Sequence, residues 1–311
     1  MATDYDKMLV TEVKDNIGTI FINRPEAANV MAPRMFKKLI ETLVRWADDK
    51  EVYVIILRAA GEKVFCGGAD TKAIVTTKRP ETEEEKAALI KRDMAMATLM
   101  QNATARIMRC PQPVIAAING VAFATGRMLA EACDIRIAAD TVTWGVAPLM
   151  AKGGGKRALG PNFMAAQRTI DLVGLSRAME IMLFSRPFDA KTCVEIGLFS
   201  MAVPMKDLTS TAYDVARAMI ANLTPTALRT VKPIMQRVMN YTTPTTADRA
   251  FVNKLVTDGY GTDDFIEITK LWFKGQPPVK LNGEGPVRLV HFVDDVTPAA
   301  AQQALETLGV S

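Results

Sequence analysis

Val64-Phe65-Cys66-Gly67-Gly68-Ala69-Asp70 is one of two stretches that decide the fold of this chain, and the other runs Pro113-Val114-Ile115-Ala116-Ala117-Ile118-Asn119-Gly120-Val121-Ala122-Phe123-Ala124-Thr125-Gly126. In each stretch an apolar strand ends in a turn of small residues that opens a helix. Backbone N–H groups at a helix N-terminus lack partners within the helix and carry partial positive charge. Two such turns can hold a carbonyl oxygen that becomes an oxyanion. The sequence therefore predicts a paired backbone site for developing negative charge.

The composition excludes several classes of protein. With 311 residues, 49% of them hydrophobic and 23% charged, the chain can bury a large core. A net charge of +4 without a basic, aromatic-rich arm argues against nucleic acid and suits a small anionic ligand. No apolar stretch is long enough to cross a bilayer, and no signal-peptide core is present. Four singly spaced cysteines predict free thiols, no metal site and a cytoplasmic protein.

The order of elements predicts an α/β core followed by helices. Met8–Val13 and Gly18–Ile22 alternate as a hairpin of strands, with Asp15-Asn16 supplying the turn. Strand and helix patterns then alternate as far as Val203. Leu175–Phe184 and Asp189–Ile196 are predicted as short helices, and Gly197 ends the second. From Asp207 the pattern is all helical, with Thr224 as an N-cap before Pro225 and further helices over Ala247–Val256 and Asp263–Phe273. We therefore predict a core over residues 1–203, a helical oligomerisation region over residues 204–274, and an extended C-terminal arm over residues 275–311.

One long helix, Ala87–Met108, stands as an insert between the two decisive stretches. Two interpretations are open. The helix is either a solvated lid with no chemistry of its own, or it reshapes the mouth of a pocket.

The chain resembles the crotonase superfamily, the enoyl-CoA hydratase/isomerase family. Besides the two decisive stretches, the resemblance rests on Ile22–Asn29, which is similar to the family's first loop, on Gly174–Val203, and on Asp264-Phe265 with Phe273–Pro278. It implies a core that is a spiral of ββα turns with two roughly perpendicular sheets, followed by a helical trimerisation region. It also implies an acyl-CoA substrate, no cofactor other than the coenzyme A within that substrate, no membrane partner, and a homotrimer or a dimer of trimers.

The resemblance implies a role for particular residues. The backbone N–H groups of Ala69 and Thr125 would form the oxyanion hole, although relatives usually carry glycine at the second position. It implies further substrate contacts by the backbones of Gly67 and Thr71 at the adenine, by Ala28 along the pantetheine, and by Trp144 in the acyl pocket. Relatives often carry a cation near the phosphates where this chain has Glu26, so the cations close by in sequence, Arg24 and Lys72, are the candidates for that contact.

The chain departs from the family at the carboxylates that hydratases use to move protons. Those positions are occupied by Met128 and Pro148, which would therefore only line the substrate pocket. No Asp, Glu or His occurs from Thr141 through Ile170. Because methionine and proline cannot transfer protons, two-carboxylate hydration and single-glutamate isomerisation are both disfavoured.

One carboxylate, Glu131, lies a helical turn after Met128 and is the candidate acid or base. The alternative is that Glu131 faces solvent or forms an ion pair. The function predicted is an acyl-CoA enzyme that stabilises a thioester enolate, of lyase type as a hydratase or decarboxylase. An acyl-CoA or carbon–carbon bond hydrolase, and a non-catalytic coenzyme A-binding paralogue, are the alternatives.

Overall fold

The computed structural model describes residues 5–70, 82–145, 163–184 and 187–239. The strands are β1 (Leu9–Lys14), β2 (Ile17–Ile22), β3 (Val54–Ala59), β4 (Val64–Cys66), β5 (Val114–Ile118), β6 (Val121–Phe123), β7 (Ile135–Ala139), β8 (Thr143–Gly145), β9 (Phe188–Asp189) and β10 (Met201–Val203). The helices are α1 (Tyr5–Met8), α2 (Pro33–Ala47), α3 (Glu83–Arg109), α4 (Thr125–Ala132), α5 (Phe163–Phe184), α6 (Ala190–Glu195), α7 (Leu208–Asn222) and α8 (Pro225–Met239).

The strands form two sheets, which confirms the α/β class. The larger sheet has the order β1-β2-β3-β5-β7-β10, and the smaller has the order β4-β6-β8-β9. Among the strands of the described residues, only β1 with β2 and β8 with β9 pair antiparallel. Every residue of β5 is buried, as are five of the six in β3. This burial explains their uninterrupted apolar sequence, because parallel strands are covered on both faces.

The predicted N-terminal hairpin is confirmed. Asp15 and Asn16 adopt φ values of 53° and 60° between β1 and β2. Two consecutive left-handed residues match the right-handed twist of the flanking strands, which is why Asx residues are favoured in such turns.

The helices of the core follow the sequence pattern with two differences. The insert helix α3 begins at Glu83 with a capping box between Thr82 and Glu85, so it is longer than predicted. The helix predicted from Leu175 is the second part of α5, whose backbone is interrupted at Gly174 with φ 76°.

The chain divides into two compact units, residues 1–220 and residues 221–311. Most of α7 belongs to the first unit, where the Tyr213 hydroxyl lies 2.7 Å from Thr19 Oγ1 of β2. Within the second unit, α8 begins at Pro225 and the Thr224 hydroxyl accepts a bond from Ala227 N, as the sequence predicts. The domain boundary at 203 stays a prediction, and the predicted helices Ala247–Val256 and Asp263–Phe273 and the arm 275–311 lie outside the described residues.

None of the helices in the described ranges is long and apolar enough to cross a membrane.

Candidate active site

The first small-residue turn begins where β4 ends, and it lies against the loop around Ala28. Gly67 N–H donates to Ala28 O at 2.9 Å. Met31 N–H donates to Gly68 O at 2.9 Å, and Asp70 N–H donates to Met31 O at 3.0 Å. Because N–H groups alternate in direction along a strand, the Ala69 N–H points away from Met31. It donates to no acceptor within the described part of the chain.

The second turn joins β6 to α4 through a strained alanine. Ala124 has φ 46° and ψ −116° and precedes Thr125, the first residue of the helix. A side chain in this region of backbone space costs about 1–3 kcal/mol and is held only when its surroundings demand it. The N–H groups of the first helical turn, beginning with that of Thr125, have no partner within the helix.

The two turns lie directly against each other. A Cβ placed on Gly68 would lie 3.4 Å from Ala124 Cβ, and one placed on Gly126 would lie 2.1 Å from Cys66 O. Glycine is therefore required at Gly126 by the close approach of the two backbones. The structure thus brings together the two turns that carry the predicted oxyanion donors, Ala69 and Thr125.

The insert helix α3 reaches the second turn. The Thr125 hydroxyl donates to Met100 Sδ at 3.1 Å, so the side chain at this position is turned onto α3. Met100 itself is only partly buried, and Met96, one turn earlier, is buried. Of the two interpretations of the insert, this contact favours the one in which α3 shapes a pocket beside the turn.

Every residue of α4 is buried, including the candidate Glu131. Met128, where a hydratase would carry a carboxylate, is 7% exposed, and Glu131 has no exposed surface. Arg127 Nη1 donates to Glu131 Oε1 at 2.8 Å, and the Thr169 hydroxyl of α5 donates to Oε2 at 3.0 Å. Both carboxylate oxygens are therefore bonded within the protein, which favours the ion-pair alternative for this residue.

Burial dominates the electrostatics around Glu131. Desolvation raises the pKa of the Glu131 carboxyl, and the Arg127 guanidinium and the Thr169 hydroxyl oppose the increase. Desolvation also lowers the pKa of the Arg136 guanidinium to about 10, with a further contribution from Arg168. Arg168 Nε donates to Glu131 O at 2.7 Å, and Arg136 Nη1 donates to Cys133 O at 2.6 Å. Two arginines thus satisfy carbonyls at the C-terminal end of α4, where the helix dipole is negative.

The thiols near the site lie in the core of the protein. All four cysteines are free and buried. Burial raises the pKa of the Cys66 thiol to about 12, so this thiol stays protonated at neutral pH. Cys133 Sγ donates to Leu129 O within α4.

Arg24, one of the two cations predicted near the phosphates, is paired within the protein. Arg24 Nη1 lies 2.6 Å from Asp70 Oδ2, and both side chains are largely buried. Ala28 is exposed, has φ 53° and lies beside Gly67. Gly67 and Ala28, the residues predicted to contact the adenine and the pantetheine, are therefore adjacent at the start of the first turn.

The residue predicted to line the acyl pocket lies in the core of the protein. Trp144 is fully buried, with its ring edge-on to Phe199 at 5.0 Å between centroids. Its contact with an acyl group stays a prediction. Thr71, Lys72 and Pro148 lie outside the described residues.

Sequence reasoning missed three residues that surround the site: Arg127, Arg168 and Thr169. The spacing of Arg127 and Glu131 is that of a helical ion pair, and this signal was available. No pattern in the neighbouring sequence indicates a role for Thr169, which is 38 residues from its partner Glu131.

Comparison with known proteins gives consistent findings. A family model described as "Enoyl-CoA hydratase/isomerase" matches residues 12–276. The putative enoyl-CoA hydratase/isomerase YngF of Bacillus subtilis is 33% identical over 227 residues, covering 73% of this chain and 80% of the relative. The short-chain-enoyl-CoA hydratase of Clostridium acetobutylicum is 29% identical over 270 residues, covering 85% and 96%. The solved structure of an enoyl-CoA hydratase from Bacillus anthracis superimposes with a TM-score of 0.73 at 26% identity, covering 87% and 98%.

Proposed function

This chain belongs to the enoyl-CoA hydratase/isomerase family, and on that premise we propose that it stabilises a thioester enolate between the N–H groups of Ala69 and Thr125. The observation that carries the proposal is the contact of the two turns, where a Cβ on Gly68 would meet Ala124 Cβ at 3.4 Å. Loss of one such donor typically costs about 10²–10³-fold in turnover. Coenzyme A enters as part of the substrate, and no other cofactor is proposed.

We propose lyase-type chemistry that does not depend on the family's two carboxylates. Met128 cannot transfer protons, and both oxygens of Glu131 are bonded to protein groups. In a decarboxylation, the bond from the α-carbon to a substrate carboxylate breaks, its electron pair enters the thioester to form the enolate, and CO₂ leaves. No general base is needed for that step. Hydration or dehydration by non-standard acid and base groups is the other lyase reaction that the site could support.

The coenzyme A moiety would lie along the first loop. Ala28 and Gly67 are adjacent, since Gly67 N–H donates to Ala28 O, and they would contact the pantetheine and the adenine. Arg24 would approach the phosphates from its ion pair with Asp70. Thr71, Lys72, Trp144 and Pro148 complete the proposed substrate contacts.

A non-catalytic coenzyme A-binding paralogue is the second candidate. Buried Met128 favours it, because this residue replaces a proton-transfer group while the two turns are kept. This candidate predicts that acyl-CoA binds and is released unchanged.

A mass-spectrometric screen tests the proposal. Purified protein is incubated with a panel of acyl-CoAs that includes crotonyl-CoA, 3-hydroxybutyryl-CoA and malonyl-type thioesters. The loss of CO₂, or the loss or gain of water, supports lyase chemistry. Release of free coenzyme A identifies a hydrolase instead. Binding of the panel without turnover supports the paralogue, and the absence of any binding contradicts both candidates.

We also propose a homotrimer or a dimer of trimers in the cytoplasm. The second part of α5 exposes an apolar stripe with Leu175 62%, Met179 49% and Leu183 69% exposed. An apolar surface of this kind is normally covered by a partner. Four buried free thiols support a reducing compartment. A single monomeric species in light scattering at micromolar concentration would contradict the oligomer.

A further inference from the structure

A closed ring of hydrogen bonds joins α4 to α5 behind the second turn. Arg127 Nη1 donates both to Glu131 Oε1 at 2.8 Å and to Thr169 Oγ1 at 3.0 Å. The Thr169 hydroxyl then donates to Glu131 Oε2 at 3.0 Å, which closes the ring. We refer to Arg127, Glu131 and Thr169 as the buried triad. None of the three exposes more than 2% of its surface.

Stability alone does not explain the buried triad. Removing a carboxylate and a guanidinium from water carries a large desolvation penalty, and an apolar replacement of similar size is often as stable. In some proteins a buried ion pair instead selects one arrangement of the elements that carry it, because any other arrangement leaves a buried charge without its partner. The elements it aligns here are α4 and the first part of α5, which ends at Gly174.

The buried triad lies next to the strained turn. Arg127 follows Thr125 by two residues, and α4 has only eight residues. Ala124, with φ 46°, must be held by its surroundings, since its conformation is unfavourable by itself. At the other end of the helix, Arg168 Nε donates to Glu131 O at 2.7 Å. Neighbouring residues of α5, Arg168 and Thr169, therefore hold α4 through its backbone and through the side chain of Glu131.

We propose that the buried triad positions the Thr125 N–H for the oxyanion, with Thr169 as the residue that couples α5 to the turn. Glu131 is then a positioning residue and not the acid or base. This inference rests on the proposed function, because a positioned donor has a role only if a thioester carbonyl binds there. A displacement of about 1 Å at a reacting group is enough to cost roughly 10²-fold in rate.

Thr169→Val is the primary test, because valine keeps the shape of threonine and leaves the ion pair in place. Thr169→Ser restores the hydroxyl and is the rescue variant. Glu131→Gln is a second disruption. Glu195→Gln is the matched control, since Glu195 forms a helical ion pair of the same spacing with Lys191 that is exposed on α6.

The readout is the carbonyl stretch of acetyl-CoA labelled with ¹³C at the thioester carbon, measured by difference infrared spectroscopy with the full-length protein. Calorimetry gives the Kd for the same ligand. We expect the wild type to lower the stretching frequency of the bound thioester carbonyl. Thr169→Val should lose at least half of that frequency shift, while its Kd for acetyl-CoA changes by less than about threefold. Thr169→Ser and Glu195→Gln should match the wild type.

Each other result decides against the inference. A folded Thr169→Val that keeps the full frequency shift overturns the inference. A Thr169→Ser that loses the frequency shift as Thr169→Val does also overturns it. Loss of the folded state in both Thr169→Val and Glu131→Gln would assign the buried triad to folding and overturn the positioning role. A wild type that binds no acetyl-CoA, or leaves its stretch unchanged, refutes the oxyanion site itself, and this failure is distinguishable because it precedes any substitution.

Discussion

Gly126→Ala tests the close approach of the two turns. The added Cβ would lie 2.1 Å from Cys66 O and 2.7 Å from Cys66 Cβ. Ordinary contact distances are larger by roughly 1 Å or more, so the backbone of one turn must move by about that amount. The nearest atom, Cys66 O, belongs to the backbone, so it cannot move aside by a side-chain rotation. Overpacking of this kind costs about 1–3 kcal/mol in the free energy of unfolding, and a shift of about 1 Å at a catalytic group costs roughly 10²-fold in rate.

The assay measures unfolding in urea, and turnover on the substrate that the acyl-CoA screen identifies. Gly197→Ala is the matched control. Its Cβ would meet nothing within 4 Å, and only its φ of 76° opposes alanine. We expect this control to lose about 1–2 kcal/mol of stability with unchanged turnover. Gly126→Ala should lose both stability and turnover. Wild-type turnover in a folded Gly126→Ala would refute the reasoning that the two turns jointly form the site.

Three further predictions concern the same region. Ala124→Gly should raise the free energy of unfolding by about 1 kcal/mol in urea, because glycine relieves the strain at φ 46° but also makes the unfolded chain more flexible; a loss of stability would contradict it. Because burial raises the pKa of Cys66 from 9.0 to about 12, the unfolded thiol ionises first, and stability should decline as pH rises through that interval. The decline should be shallower in Cys66→Ala, and an identical decline would contradict the assignment. Crotonyl-CoA hydration should be at least ~10²-fold slower than in a two-carboxylate hydratase, because Met128 replaces one of the proton-transfer groups; a hydration rate equal to that of such a hydratase in a spectrophotometric assay would show the mechanism wrong.

Features that depend on neighbouring residues could be predicted from the sequence. The Asp15-Asn16 turn, the start of α8 after Thr224 and the end of α6 before Gly197 all follow from local backbone preferences. The two small-residue turns were also predictable, because in each an apolar strand is followed by a short run of small residues. The resemblance to the family then predicted that Ala69 and Thr125 share one site.

Contacts between distant parts of the chain could not be predicted in the same way. Glu131 was a candidate acid or base because it is near Met128, and only the fold shows Arg127 and Thr169 bonded to it. The Arg24–Asp70 pair depends on the first loop meeting the first turn. The strain at Ala124 had no signal at all, since alanine carries no preference for that conformation.

Binding of an enolate mimic tests the central claim most directly. The ligand is a coenzyme A thioether that carries a nitroalkyl group, whose nitronate anion has the shape and charge of a thioester enolate. If the N–H groups of Ala69 and Thr125 form an oxyanion hole, calorimetry should show the nitronate binding at least ~10²-fold more tightly than acetyl-CoA. Equal affinity for the two ligands would contradict the account.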